Sequence, residues 1–246
     1  MELIYTQKYT VCQNHLDLNG KTKPAALLGF ALDAAGKHCV ALNADWDTLA
    51  QKGMFWAVIR HRLLISRYPE NGEVLTVETW PMPTTRSAYP RAAVAYDHKG
   101  NEVFRLVSLW VLMDITARTM ILPGKSGVTV EGILRGNEPE PPMSIPPRDL
   151  EHTACRQVAT EDLDRNQHMT NTRYLEWIHD LQTPEFHNAH PAKEIVICYL
   201  SEARFGQEMS LNWGLTPQGF LQADGYRKET DVHGKTTRIF SAKMYL

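Results

Sequence analysis

The residues best equipped for chemistry lie in the second half of the chain. Asp164-x-Asn166-x-His168 sets a carboxylate, an amide and an imidazole on alternate positions of one loop, and Glu202 follows at a strand end shortly before Gly206. Histidine both accepts and donates a proton near neutral pH, so the set holds the makings of acid–base chemistry. Taken singly, each residue has an ordinary explanation. Asp164 and Asn166 are frequent before helices, where their side chains satisfy free N–H groups. His168 is one of ten histidines, and a solvated glutamate at a strand end is normal. Only the combination points to a site.

The elements that must position these residues occur twice. The first half opens with a strand over 5–13 and a polar loop over 14–23, and Pro24 suits the first turn of a helix. Leu27, Phe30, Ala31, Ala34, His38 and Leu42 follow at three- and four-residue steps, which gives that helix one apolar stripe. A short helix over 45–52 precedes strand-like runs at 54–66, 73–80, 87–98 and 102–114. The second half repeats the order. A strand near 153–159 leads to a loop over 160–170 and a helix with Tyr174, Trp177, Ile178 and Leu181 on one face. Strand-like runs follow at 194–201, 208–215, 220–227 and 235–246. One helix cradled by an antiparallel sheet, twice, is an α+β architecture.

A shift of 147 lays Leu16-Asp17-Leu18-Asn19-Gly20-Lys21 over Leu163-Asp164-Arg165-Asn166-Gln167-His168. After the helices the shift becomes 134, with Gly72 over Gly206 and Gly100 over Gly234. The thirteen-residue difference matches the extra helix of the first half. The copies diverge where chemistry is expected: Lys21 replaces His168 and Tyr68 replaces Glu202. Lysine cannot act as an acceptor near neutral pH, so any reaction belongs to the second copy. Pro139, Pro141, Pro142, Pro146 and Pro147 mark a seam that neither a helix nor a central strand can cross. The expected organisation is a domain over 1–123, a proline-rich linker over 124–150 and a second domain over 151–246.

Composition narrows the classes. The 246 residues are 43% hydrophobic, enough for two cores. With 26 Lys and Arg against 28 Asp and Glu, the net charge of −2 argues against nucleic acid as a bulk electrostatic partner. No apolar run reaches the roughly 18–20 residues of a membrane span. The first ten residues lack a cationic region followed by an apolar core, so no secretory signal is expected. Cys12, Cys39, Cys155 and Cys198 have neither disulfide-framework nor metal-ligand spacing and read as buried or half-buried thiols in a reducing cytoplasm. Pro123-Gly124-Lys125-Ser126 lacks the upstream glycine of a phosphate loop, and the nucleophile-elbow, zinc-protease and dinucleotide motifs are missing.

Met54-Phe55-Trp56-Ala57-Val58-Ile59-Arg60, Arg67-Tyr68-Pro69-x-x-Gly72-Glu73-Val74-x-x-Val77-Glu78-Thr79-Trp80 and Ser108-Leu109-Trp110-Val111-Leu112-Met113-Asp114 resemble the first-half segments of one family. Asp164-x-Asn166-x-His168-Met169-Thr170-Asn171-x-x-Tyr174-x-x-Trp177 resembles its signature loop and helix. The family is that of the acyl-(acyl carrier protein) thioesterases. The resemblance implies a double hotdog fold: two tandem domains, each a long helix wrapped by a curved antiparallel sheet. It also implies an active site of Asp164, Asn166, His168 and Glu202. Ala203 stands where plant members have cysteine, which excludes a cysteine nucleophile there. Thr170 replaces the first of the family's paired asparagines, and the plastid-targeting extension of plant members is missing, which suggests a bacterial cytoplasmic enzyme.

The reaction so implied is hydrolysis of a fatty acyl thioester on acyl carrier protein, ending elongation with release of a free fatty acid. Glu202 either activates a water or attacks directly to form an anhydride. Asn166 donates to the carbonyl oxygen, His168 donates or shuttles a proton, and Asp164 orients its neighbours. The first domain receives the acyl chain beside its long helix, with Phe30 or the sheet closing the tunnel. Arg60, Arg62, Arg91, Arg204, Arg227 and Lys228 are the basic residues that could dock an acidic carrier. No cofactor or metal is implied, and a homodimer stays open. The rivals are an acyl-CoA thioesterase on the same fold, a hotdog hydratase or dehydratase, and a non-catalytic acyl-binding sensor.

Overall fold

The computed structural model describes residues 2–136, 138–230 and 236–246. The chain divides into two units, Met1–Pro142 and Met143–Leu246. The first contains β1 (Tyr5–Thr10), α1 (Pro24–Ala41), α2 (Trp46–Ala50), β2 (Met54–Ile65), β3 (Val74–Pro81), β4 (Tyr89–Tyr96), β5 (Glu102–Asp114), β6 (Met120–Ile121) and α3 (Pro123–Ser126). Its strands pair antiparallel in the order β1-β3-β4-β5-β2, with β6 on β5. The second contains β7 (His152–Gln157), α4 (Asn171–His179), α5 (Pro184–Ala189), β8 (Glu194–Tyr199), β9 (Glu208–Leu215), β10 (Phe220–Thr230) and β11 (Thr236–Tyr245). Its antiparallel order is β8-β11-β10-β9-β7. Each half is a hotdog, an antiparallel sheet packed on helix.

Sequence chemistry sets the helix bounds. Lys23 is extended and Pro24 follows at the first helical position, where its missing N–H costs nothing. Leu27, Leu28, Phe30, Ala31, Ala34, Ala35 and His38 form the buried face of α1, each large apolar side chain contributing about 1.5–3 kcal/mol. Asp33 and Lys37 pair at 2.7 Å on the outer face. Asp45 caps α2 by accepting from the Thr48 N–H at 3.2 Å. The second half departs from the expected long helix: α4 ends at His179, short of Leu181, and Pro184 starts α5. Proline favours extended backbone at the residue before it, and Thr183, at φ −75° and ψ 157°, is extended and caps α5 instead of continuing α4.

The duplication is structural. β1 and β7, the 3₁₀ turns Gln13–His15 and Thr160–Asp162, and the starts of α1 and α4 all differ by 147. Tyr5 pairs with Thr79 as His152 pairs with Trp213, so the shift of 134 holds at β3 and β9. It fails one hairpin later. Thr76 faces Tyr96, whereas Ser210 faces Tyr226, because the second copy has a shorter turn there. Gly72 and Gly206 occupy the left-handed region at φ 81° and 76°, and their N–H groups reach Val11 and Val158 at 2.8 and 2.9 Å. Gly234 and Lys235 lie outside the described residues. The extra length of the first half holds α2 and the start of β2.

Four carbonyls in the proline-rich stretch accept side-chain donors. In the first unit Arg60 donates to Pro142 O at 3.2 Å and Arg62 to Glu140 O at 3.3 Å. In the second, Arg238 donates to Ile145 O at 3.0 Å and Gln222 to Pro146 O at 3.0 Å. Ile145 is buried against Val196 and Cys198. The four cysteines are free thiols, and Cys12 and Cys155 are exposed rather than buried. Among the described residues no helix is long and apolar enough to cross a membrane.

Candidate active site

The loop before α4 is anchored at Asp162. Its carboxylate accepts from the Ala159 N–H at 2.8 Å, Arg173 Nε at 2.8 Å and Trp177 Nε1 at 3.3 Å, while its carbonyl accepts from the Thr170 N–H at 2.8 Å. Three of these bonds satisfy the buried carboxylate and tie the loop to α4 through Arg173 and Trp177. Inside this frame the Asp164 N–H donates to His168 O at 2.8 Å, and Gln167 N–H to Asp164 O at 3.0 Å. Gln167 sits at φ 63°, where the first copy has Gly20 at φ 74°. A side chain in the left-handed region stores strain of about 1 kcal/mol, placed here between Asn166 and His168.

Asp164 Oδ1 accepts from the Asn166 N–H at 2.8 Å and the His168 N–H at 3.3 Å. Asp17 does the same for Asn19 and Lys21, at 2.8 and 2.9 Å. The turn is thus common to both copies, and Asp164 acts by holding it. The Asn166 amide rests on Asp164 Oδ2 at 3.4 Å.

A second segment brings in Glu202. His168 forms an antiparallel bridge with Arg204, and the buried Met169 donates its N–H to Ala203 O at 2.9 Å. This seam places His168 Nε2 3.1 Å from Glu202 Oε2, with the two side chains 13% and 32% exposed. Arg204 Nη2 contacts the same oxygen at 2.9 Å, and Arg227 Nη2 donates to Glu202 O at 3.1 Å. All four residues singled out in the sequence therefore share one neighbourhood, His168 and Glu202 in direct contact and Asp164 and Asn166 along the same turn.

Three neighbours lie outside the expected active-site set. Asp162 anchors the loop, and its only sequence signal is its place three residues after Ala159, where it can cap the turn. Tyr174 reads as part of an apolar stripe, but a buried phenol needs a partner. Its hydroxyl bonds the Ala203 backbone, and burial pushes its pKa up, with Asp164 and Glu202 adding to the effect. Arg204, expected among the carrier-docking residues, touches Glu202. Arg91, in turn, is no docking residue: it is buried, donating to His38 Nδ1 at 3.1 Å and Thr79 Oγ1 at 3.3 Å.

Arg91 also lines a crevice between α1 and the first sheet, together with Ala31, Ala35, Ala92, Leu106 and Ser108. Phe30 is not in that lining; it packs against Tyr9 and His15 at 5.1 and 4.9 Å. Among the described residues no three His, Cys, Asp or Glu side chains converge as metal ligands would.

The comparisons agree with this architecture. Residues 2–122 match the acyl-ACP thioesterase N-terminal domain and residues 149–236 the acyl-ACP thioesterase C-terminal domain. A chloroplastic palmitoyl-acyl carrier protein thioesterase of Gossypium hirsutum is 21% identical over 81% of the chain, and its counterpart in Arabidopsis thaliana 29% over 72%. The chain spans 52% and 46% of the length of these two relatives. Among solved structures, an acyl-ACP thioesterase from Bacteroides thetaiotaomicron superposes with a TM-score of 0.81 at 23% identity, covering 98% of this chain and 97% of that one. The 12:0-ACP thioesterase from Umbellularia californica gives a TM-score of 0.82 at 16% identity, covering 100% and 97%. These two likenesses establish the double hotdog fold, and the two domain matches establish that the chain belongs to the acyl-ACP thioesterase family.

Proposed function

We propose that the protein hydrolyses the thioester of a fatty acyl chain carried on acyl carrier protein and releases the free fatty acid. The observation that carries this reading is the 3.1 Å contact between His168 Nε2 and Glu202 Oε2, which lets a proton pass between imidazole and carboxylate. Glu202 takes a proton from a water that attacks the carbonyl carbon, or attacks that carbon itself to form an anhydride that a water then hydrolyses, freeing the fatty acid and restoring the carboxylate. The Asn166 amide donates to the oxygen on which negative charge gathers. Collapse breaks the C–S bond, and His168 delivers a proton to the departing sulfur. Asp164 touches no reacting atom and is a positioning residue.

In this reading the second half carries the chemistry and the first receives the acyl chain, beside α1. Each buried methylene adds about 0.8 kcal/mol, so chain length is selected by where the pocket ends. Arg204 and Lys228, both exposed, supply local positive charge for an acidic carrier in spite of the net charge of −2. The setting is the cytoplasm.

The test presents one acyl group on carrier protein and on CoA and measures free thiol. Faster turnover of the carrier-bound substrate supports the proposal. Faster turnover of the CoA ester favours the acyl-CoA thioesterase rival. Loss of unsaturation without thiol release makes the enzyme a hydratase, and tight binding without either reaction makes it a sensor.

A further inference from the structure

Glu202 Oε2 has two partners that compete for one oxygen. His168 Nε2 lies at 3.1 Å and is mostly buried, whereas Arg204 Nη2 lies at 2.9 Å on a side chain that is 53% exposed. The Arg204 backbone is fixed: it bridges His168, and its N–H donates to Gln207 Oε1 at 2.9 Å. Only the guanidinium is free to swing. Two nitrogens against one oxygen, one of them on a cation, leave that oxygen poorly placed to face a water or a carbonyl carbon. An exposed ion pair of this kind is weak, so another anion can displace it. The Glu202 backbone needs nothing from Arg204, because Arg227 Nη2 already holds its carbonyl at 3.1 Å.

We propose that Arg204 is a substrate-sensing residue. In the resting enzyme it holds the Glu202 carboxylate. When the thiol carrier docks, an anionic group on it, phosphate or carboxylate, draws the guanidinium away and leaves Glu202 to His168 and the incoming substrate. Arginine suits this exchange because its planar fork matches either anion. The consequence is selectivity: a thioester whose thiol part carries no charge is turned over by an enzyme still held back. This inference rests on the hydrolase reading above.

The experiment compares wild type with Arg204→Gln and Arg204→Lys on one acyl group presented as an N-acetylcysteamine thioester, a phosphopantetheine thioester and an acyl carrier protein thioester. On the neutral N-acetylcysteamine ester Arg204→Gln raises kcat about two- to fivefold, the range set by the strength of an exposed ion pair. Arg204→Lys keeps the charge and stays nearer wild type. On the carrier protein Arg204→Gln leaves kcat within error and raises KM. If the gain vanishes already with phosphopantetheine, the releasing anion is the phosphate; if it vanishes only with the protein, it is a carboxylate of the carrier surface. A kcat on the neutral ester that is unchanged or lower in Arg204→Gln overturns the proposal, since Arg204 then serves Glu202 or does nothing to it. A wild type that releases no thiol from any of the three overturns the hydrolase reading itself, and this inference with it.

Discussion

His168 and Glu202 meet at 3.1 Å because the backbone of one pairs with the backbone just beyond the other, through the bridge from His168 to Arg204. Groups that act through one shared proton lose their function together. His168→Ala and Glu202→Gln are therefore expected to be strongly non-additive, with the double variant no slower than about threefold below the worse single one. Steady-state kcat for the three variants checks this; losses that multiply would mean the two residues act independently.

Asp164 and Asp17 hold the same turn in the two copies, but only one of those turns carries a histidine. Either aspartate changed to alanine removes bonds to two backbone N–H groups and should cost on the order of 1 kcal/mol in urea unfolding. Asp164→Ala should also lower kcat at least tenfold, through a displaced His168, while Asp17→Ala should leave kcat within about twofold.

Phe240 lies across Gly225 and meets Tyr174 of α4 edge-on at 5.2 Å. A Cβ built at Gly225 would stand 2.1 Å from Phe240 Cε1. Gly225→Ala must therefore push the ring toward the helix that carries the signature loop, at about 1–3 kcal/mol of overpacking. Urea denaturation gives the stability loss, and a fall in kcat with it would show that α4 has moved.

His61 is fully buried, with Nδ1 2.9 Å from Ser108 Oγ, and burial pushes its pKa down from 6.5 to about 3. Between those two values the unfolded chain binds a proton that the folded chain refuses. Its contribution is complete above pH 6.5 and is lost as the pH falls toward 3, a matter of a few kcal/mol. Urea midpoints measured from neutral pH down to about pH 4 should drop, and His61→Asn should flatten that slope.

Much of this was legible from residue types. Pro24 and the stripe from Leu27 to His38 mark α1, and the repeated Asp-x-Asn loop with its glycine downstream reveals the duplication. The break between α4 and α5 turns on Pro184, whose effect is written in the sequence but was outweighed by the apolar spacing that continues to Leu181. The burial of Arg91 could not be read from its type, because its partners His38 and Thr79 come from distant elements. Nor could the contact of Arg204 with Glu202. Glu202 and Arg204 are two residues apart in sequence, and that spacing does not show that Arg204 and His168 meet on one oxygen of Glu202.

The proposed reaction has Glu202, paired with His168, cleave an acyl thioester on a carrier protein. Single-turnover thiol release from acyl carrier protein by Glu202→Gln, beside wild type and with matched urea midpoints, tests it most directly. The chemical step is expected to be slower by about 10²–10⁴ in the variant. A rate within twofold of wild type in a folded protein would contradict it.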